Sequence, residues 1–225
     1  MHEVKPRIKI IVKNTLEEIA AEAARYIIPG TIAVSGGRTF AALFALWQKK
    51  VKSLLAEGKK VEFFPVDERQ VPFEDSSCNW RVACEQLLFP TGLETQKSRH
   101  PLSLIAFKNE LNQILELSSG RFDTVFLGMG DDGHTASLFP GGDYLIDAKS
   151  MALSTMSPKA PTDRFTLALR PIWEAEHLVT IATGGDKSPM VKRLLAGDES
   201  LPISIALSGH ASPVLILDNA ASSEL

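Results

Sequence analysis

The stretch Phe122-Asp123-Thr124-Val125-Phe126-Leu127-Gly128-Met129-Gly130-Asp131-Asp132-Gly133-His134-Thr135-Ala136-Ser137-Leu138-Phe139-Pro140-Gly141 decides how the rest of the chain is read. It opens as a buried strand over 122–127 and breaks into a glycine loop. That loop presents Asp131, Asp132 and His134 beside backbone free of side-chain bulk. Glycines let a ligand approach the main chain, and a histidine takes or gives a proton near neutral pH.

Working outward, apolar runs predict strands at 8–12, 31–34, 61–66, 151–155, 165–169, 178–182 and 214–217. Helical patterns lie between them, at about 39–55, 79–88, 103–117, 171–176 and from 187 to about 195. A further helix is expected to open on a capping box, Asn14 with Glu17, and to run to about residue 28. The run 203–207 fits a strand or a helix equally well. Alternating strands and helices predict an α/β fold, a mostly parallel sheet with helices on both faces. With no internal repeat or linker, one domain over residues 1–225 is expected. Ligands of such sheets gather beyond the carboxyl ends of the strands. Four loops there carry reactive groups, at 35–38, 67–69, 128–134 and 184–187, and they are expected on one edge.

The bulk composition narrows the function classes. With 225 residues, 44% hydrophobic and 23% charged, the chain can bury a sizeable core. A net charge of -3 argues against a general nucleic-acid surface, while a few converging cations can still hold an anionic small molecule. Cys78 and Cys84 have neither zinc-site nor CxxC spacing, and reduced thiols are expected. No apolar run approaches the ~20 residues of a membrane span, and the first residues lack the apolar core of a signal peptide. A cytoplasmic enzyme with a small-molecule substrate, no cofactor and no metal is the expectation, with no obligate protein partner, nucleic acid or membrane involved.

Each loop admits a bland reading and a chemical one. Ser35-Gly36-Gly37-Arg38 lies between a strand and a helix, where backbone N–H groups can cradle an anion; otherwise it is a tight turn. Ala33-Val34-Ser35-Gly36-Gly37 also approximates the GxSxG elbow of serine hydrolases, with Ser35 as nucleophile. Residues 128–133 satisfy GxGxxG, but Asp131 and Asp132 would repel a pyrophosphate. Asp67-Glu68-Arg69 follows a strand directly, and Arg81 lies two residues into the next helix. Lys187 at a helix start opposes the dipole, which makes sense if an anion sits there.

From Gly128 to Gly141 the chain strongly resembles the 6-phosphogluconolactonases, relatives of the glucosamine-6-phosphate deaminases. The deaminases continue Gly-His-Ile-Ala-Phe-Asn-Glu-Pro-Gly, where this chain has Gly133-His134-Thr135-Ala136-Ser137-Leu138-Phe139-Pro140-Gly141. The asparagine and glutamate of their proton relay are missing. Asp67-Glu68-Arg69 matches the lactonase branch, whereas the deaminases carry Asp-Glu-Tyr. Phe40 stands where a proline is usual, and Phe165 replaces the common isoleucine.

The resemblance implies hydrolysis of 6-phospho-D-glucono-1,5-lactone. It implies His134 as general base, with Arg81, Arg164 and Lys187 gripping the phosphate. Ser35, Gly36, Gly37, Arg38, Asp67, Glu68, Arg69, Gly130, Asp132 and Gly133 are expected to complete the substrate site.

Overall fold

The computed structural model describes residues 7–143 and 149–225. Six parallel strands form the main sheet, in the order β1 (Lys9–Lys13), β9 (Val214–Asp218), β8 (His177–Ala182), β5 (Thr124–Gly128), β2 (Gly30–Val34), β3 (Val61–Pro65). The pleat sorts their side chains to two faces. Ala33, Val125, Leu127, Leu178, Leu215 and Leu217 join one core, and Ile32, Val34, Phe126, Val179, Ile181 and Ile216 the other. That is why these strands read as continuous apolar runs rather than alternating ones.

Helices cover both faces. On the Phe126 side lie α1 (Leu16–Ala23), α2 (Gly37–Ala56) and α3 (Asn79–Ala83), the last prolonged by a π-turn Cys84–Leu88. Opposite lie α4 (Leu104–Glu116), α5 (Leu169–Trp173), α6 (Ser188–Leu195) and α7 (Pro202–Ser208). The 203–207 run is therefore helical; Pro202 in the first turn supplies a preset φ. The cap of α1 falls one residue later than Asn14 with Glu17. Thr15 Oγ1 accepts the Glu18 N–H at 3.2 Å, and the Glu18 carboxylate takes the Asn14 N–H at 2.8 Å. Thr15 is the residue with extended backbone, which aims its hydroxyl at the first turn.

A second sheet was not legible in the sequence. Three antiparallel strands run in the order β4 (Asp67–Arg69), β7 (Asp163–Leu167), β6 (Ala152–Met156). Residues 67–69, expected as a loop, are thus a strand. Val66 makes the crossing: its N–H bonds Val34 of the large sheet, and its carbonyl accepts from Leu167 of the small one. The chain leaves β3 and enters β4 without a break, which delivers Asp67 and Arg69 to the carboxyl edge of the large sheet. Phe165 packs against Phe107 with ring centroids 6.4 Å apart, and Phe40 sits buried beside Phe44 and Trp47. Both departures from the family's usual residues fill core. Among the described residues no helix is long and apolar enough to cross a membrane.

Candidate active site

Beyond the carboxyl ends of β2, β5 and β8 lies a cavity of ≈ 530 Å³. All four expected loops reach it, through Ser35 to Arg38, Asp67 and Arg69, Gly130 and His134, and Lys187.

The loop after β5 folds back on itself. Gly130 donates to the His134 carbonyl at 2.8 Å, and Thr135 Oγ1 returns to the Gly128 carbonyl at 2.8 Å. This closure presses the imidazole against residue 130. A Cβ there would stand 2.1 Å from His134 Nδ1 and 2.7 Å from Asp132 Oδ1, so only glycine fits. Ala136 takes φ 52°, an uncommon conformation for a residue with a side chain. It turns the chain so that Ser137 Oγ can donate to Asp67 Oδ2 at 2.6 Å.

His134 Nδ1 lies 2.5 Å from Asp132 Oδ1, and the same oxygen takes the His134 backbone N–H at 3.0 Å. Burial acts to raise the Asp132 pKa, but the bonds and charge of His134 outweigh it and hold the carboxyl below its usual range. An ionised Asp132 fixes the proton on Nδ1 and leaves Nε2 as the basic nitrogen, the arrangement that serves a general base. The ring also packs beside Phe139, centroids 5.0 Å apart.

Other parts of the cavity wall suit an anion. Gly36 caps α2 without any side-chain hydrogen bond, so the first N–H groups of this 20-residue helix stay available. Arg38, Arg69 and Lys187 line the same space. Lys187 Nζ is 3.0 Å from Asp186 Oδ2, a bond that lowers the Asp186 pKa.

Other expected residues are not brought to the cavity wall. Glu68 is fully buried, and its carboxylate accepts the N–H groups of Arg69, Asn79 and Trp80 at 2.7, 2.8 and 2.6 Å. Burial pushes its pKa up, opposed by those bonds. It ties β4 to the start of α3. Arg81 turns away as well, bonded to Glu85 at 2.7 Å and to the Glu74 carbonyl at 2.6 Å. Gly133 packs under Leu201, where a Cβ would meet a methyl carbon at 2.7 Å. Arg164 pairs with Arg69 across the β4–β7 ladder, with Nε and Nη1 buried and unpartnered. Burial, then the Arg69 charge, lower its pKa.

Ser35 is buried too, and its Oγ accepts the Gly128 N–H at 3.2 Å. It joins the ends of β2 and β5, with no base bonded to it among the described residues, which does not suit a nucleophile. The cavity also takes in Asn79, Thr39 and Thr183, which the sequence did not single out. Thr39 and Thr183 share a 3.0 Å hydrogen bond across 144 positions, a pairing no local pattern announces.

Comparison with known proteins identifies the chain's relatives. The family model described as glucosamine-6-phosphate isomerases/6-phosphogluconolactonase matches residues 8–215. A 6-phosphogluconolactonase of Rhizobium meliloti is 33% identical over 88% of this chain and 87% of its own. The chloroplastic 6-phosphogluconolactonase 3 of Arabidopsis thaliana is 31% identical over 87% of this chain, which spans 65% of that protein's length. The solved 6-phosphogluconolactonase of Trypanosoma cruzi superposes with a TM-score of 0.83, covering 100% of this chain and 99% of its own at 26% identity. The chain belongs to the glucosamine-6-phosphate isomerase/6-phosphogluconolactonase family.

Proposed function

We propose that this protein hydrolyses 6-phospho-D-glucono-1,5-lactone to 6-phospho-D-gluconate, the second step of the oxidative pentose phosphate pathway, with His134 as general base. The reading rests above all on His134, held from behind by Asp132 and facing a cavity that also offers an uncapped helix start and a lysine. A δ-lactone is an activated ester, so one positioned base and one water suffice. His134 Nε2 takes a proton as the water attacks the ring carbonyl, help typically worth ~10²–10⁴-fold. Backbone N–H groups around the glycine loops stabilise the oxyanion. The ring oxygen then leaves with the proton that His134 returns.

The phosphate is held by the N–H groups at the start of α2 with Arg38 and Lys187, and Arg164 adds positive charge beside Arg69. Lys187 acts as a point charge, while an arginine can grip two oxygens. Anchoring the phosphate places the distant carbonyl beside His134, which converts binding into orientation. Asp67, fixed by Ser137, and Arg69 meet the sugar hydroxyls. This chemistry calls for no metal or cofactor in the cavity. A cytoplasmic location and a single domain over residues 1–225 belong to the same proposal.

The test is lactone disappearance with and without protein, in EDTA, because the lactone also opens spontaneously. Acceleration of opening is expected. No acceleration, or ammonia release from glucosamine 6-phosphate instead, would overturn the reading.

A further inference from the structure

Glu68, Cys78 and His100 come from three separate segments: β4, the residue before α3, and the residue after the 3₁₀ turn Glu94–Arg99. One ligand-capable atom of each lies within 4.8 Å of the other two. Cys78 Sγ is 3.4 Å from Glu68 Oε2. His100 Nε2 is buried with no hydrogen-bond partner, an expensive state for an imidazole nitrogen unless something meets it. We propose that these three side chains form a structural site for a zinc-class divalent cation.

The donor set is the first argument. Thiolate, imidazole and carboxylate supply three of the four donors that zinc takes in a tetrahedral site at about 2.0–2.3 Å, with a solvent water completing the fourth position. Such bonds place donors roughly 3.3–3.8 Å apart, so closing the cluster takes a shift of about 1 Å, within reach of a side chain on the irregular segment at His100. Charge is the second argument. On binding, the Cys78 S–H bond breaks, its proton goes to solvent, and the sulfur pair bonds the cation. One dication, one thiolate, one carboxylate and a neutral imidazole sum to zero, which suits a buried pocket. Support behind the ligands is the third. The Arg81 N–H points at Cys78 Sγ at 3.3 Å, the Asn79 and Trp80 N–H groups hold Glu68, and a Val71 backbone bond steadies the His100 ring. None of the three residues lines the cavity, so the cation would tie β4, α3 and the segment before α4 together rather than enter the reaction.

Spectroscopy with cobalt(II) chloride on the full-length protein, stripped with EDTA and desalted, tests this directly. One equivalent should produce a thiolate-to-cobalt charge-transfer band in the near ultraviolet, bleached by zinc. Zinc at ~100-fold above its Kd should raise Tm by roughly 5 °C or more. Cys78→Ser should abolish the band. His100→Ala should weaken binding by more than the ~10–100-fold that loss of an outer support costs. Cys84→Ala and His134→Ala should keep the band. Absence of the band in the unaltered protein, or its survival in His100→Ala at unchanged affinity, overturns the proposal.

Discussion

Asp132 and Glu68 are both carboxylates a few residues beyond an apolar strand of the large sheet, and both accept backbone N–H bonds. Their surroundings then diverge. Asp132 stays half-exposed and gives one oxygen to an imidazole that faces a cavity. Glu68 is sealed from solvent and gives both oxygens to the start of a helix. In sequence they look alike, each an acid within a charged strand-end segment. What separates them is the turn of the chain afterwards: a glycine loop folds back at 128–134, whereas residues 67–69 continue straight into a second sheet. A charged motif at a ligand edge thus divides its labour, some side chains meeting the ligand and others holding the frame.

The largest expected effect lies on the cavity side of that comparison. His134→Ala should lower kcat by ~10²-fold or more, the usual worth of a general base, while binding of 6-phosphogluconate changes far less. Steady-state kinetics with a binding titration would check both. Near-wild-type turnover would dissolve the distinction between the two regions.

Next come the cations, which divide the same way. Lys187 lines the cavity, and Arg81 is engaged by Glu85 and Glu74. Lys187→Gln should raise KM for the phosphorylated lactone by ~10-fold, the value of a charge-assisted bond of about 1.5 kcal/mol. Arg81→Gln should leave KM within about 2-fold, as expected for an exposed ion pair worth little. Activity on unphosphorylated gluconolactone should hardly move in either variant. Equal KM rises in both would put Arg81 on the phosphate and contradict this division.

The sequence announced the parallel sheet, the four convergent loops and His134, because each leaves a local signature: apolar runs, glycines, a histidine among them. It did not announce the small antiparallel sheet, whose strand β4 is three charged-rich residues that read as a loop. Nor did it show that Glu68 and Arg81 turn inward or aside, since their partners Trp80, Asn79, Glu74 and Glu85 are fixed only once α3 is placed. Cys78 had no metal-ligand spacing, because its neighbours Glu68 and His100 are gathered by tertiary structure.

The smallest effect concerns pH and lies outside both regions. His210 Nε2 donates to the Ala175 carbonyl at 2.9 Å, and its Nδ1 accepts the Ser212 N–H at 3.2 Å, so the fold requires the neutral ring. Burial lowers its pKa. Below the unfolded value of about 6.5, the unfolded chain binds more protons than the native one, so stability falls as pH falls. Tm should hold from pH 8 to 7 and decline by a few degrees toward pH 5, by less in His210→Gln. A Tm that rises over that interval would contradict the assignment.

The central claim is that His134 works because Asp132 holds it, while Glu68 serves the fold alone. The most direct test is kcat by lactone disappearance, set beside Tm, for Asp132→Asn and Glu68→Gln. For Asp132→Asn we expect kcat to fall ~10-fold or more, through a misplaced tautomer, with little change in Tm. For Glu68→Gln we expect a Tm lower by roughly 2–12 °C, from about 1–3 kcal/mol of unmet N–H bonds, and an unchanged kcat per folded molecule. The reverse pattern, an active Asp132→Asn beside a stable but inactive Glu68→Gln, would contradict the account.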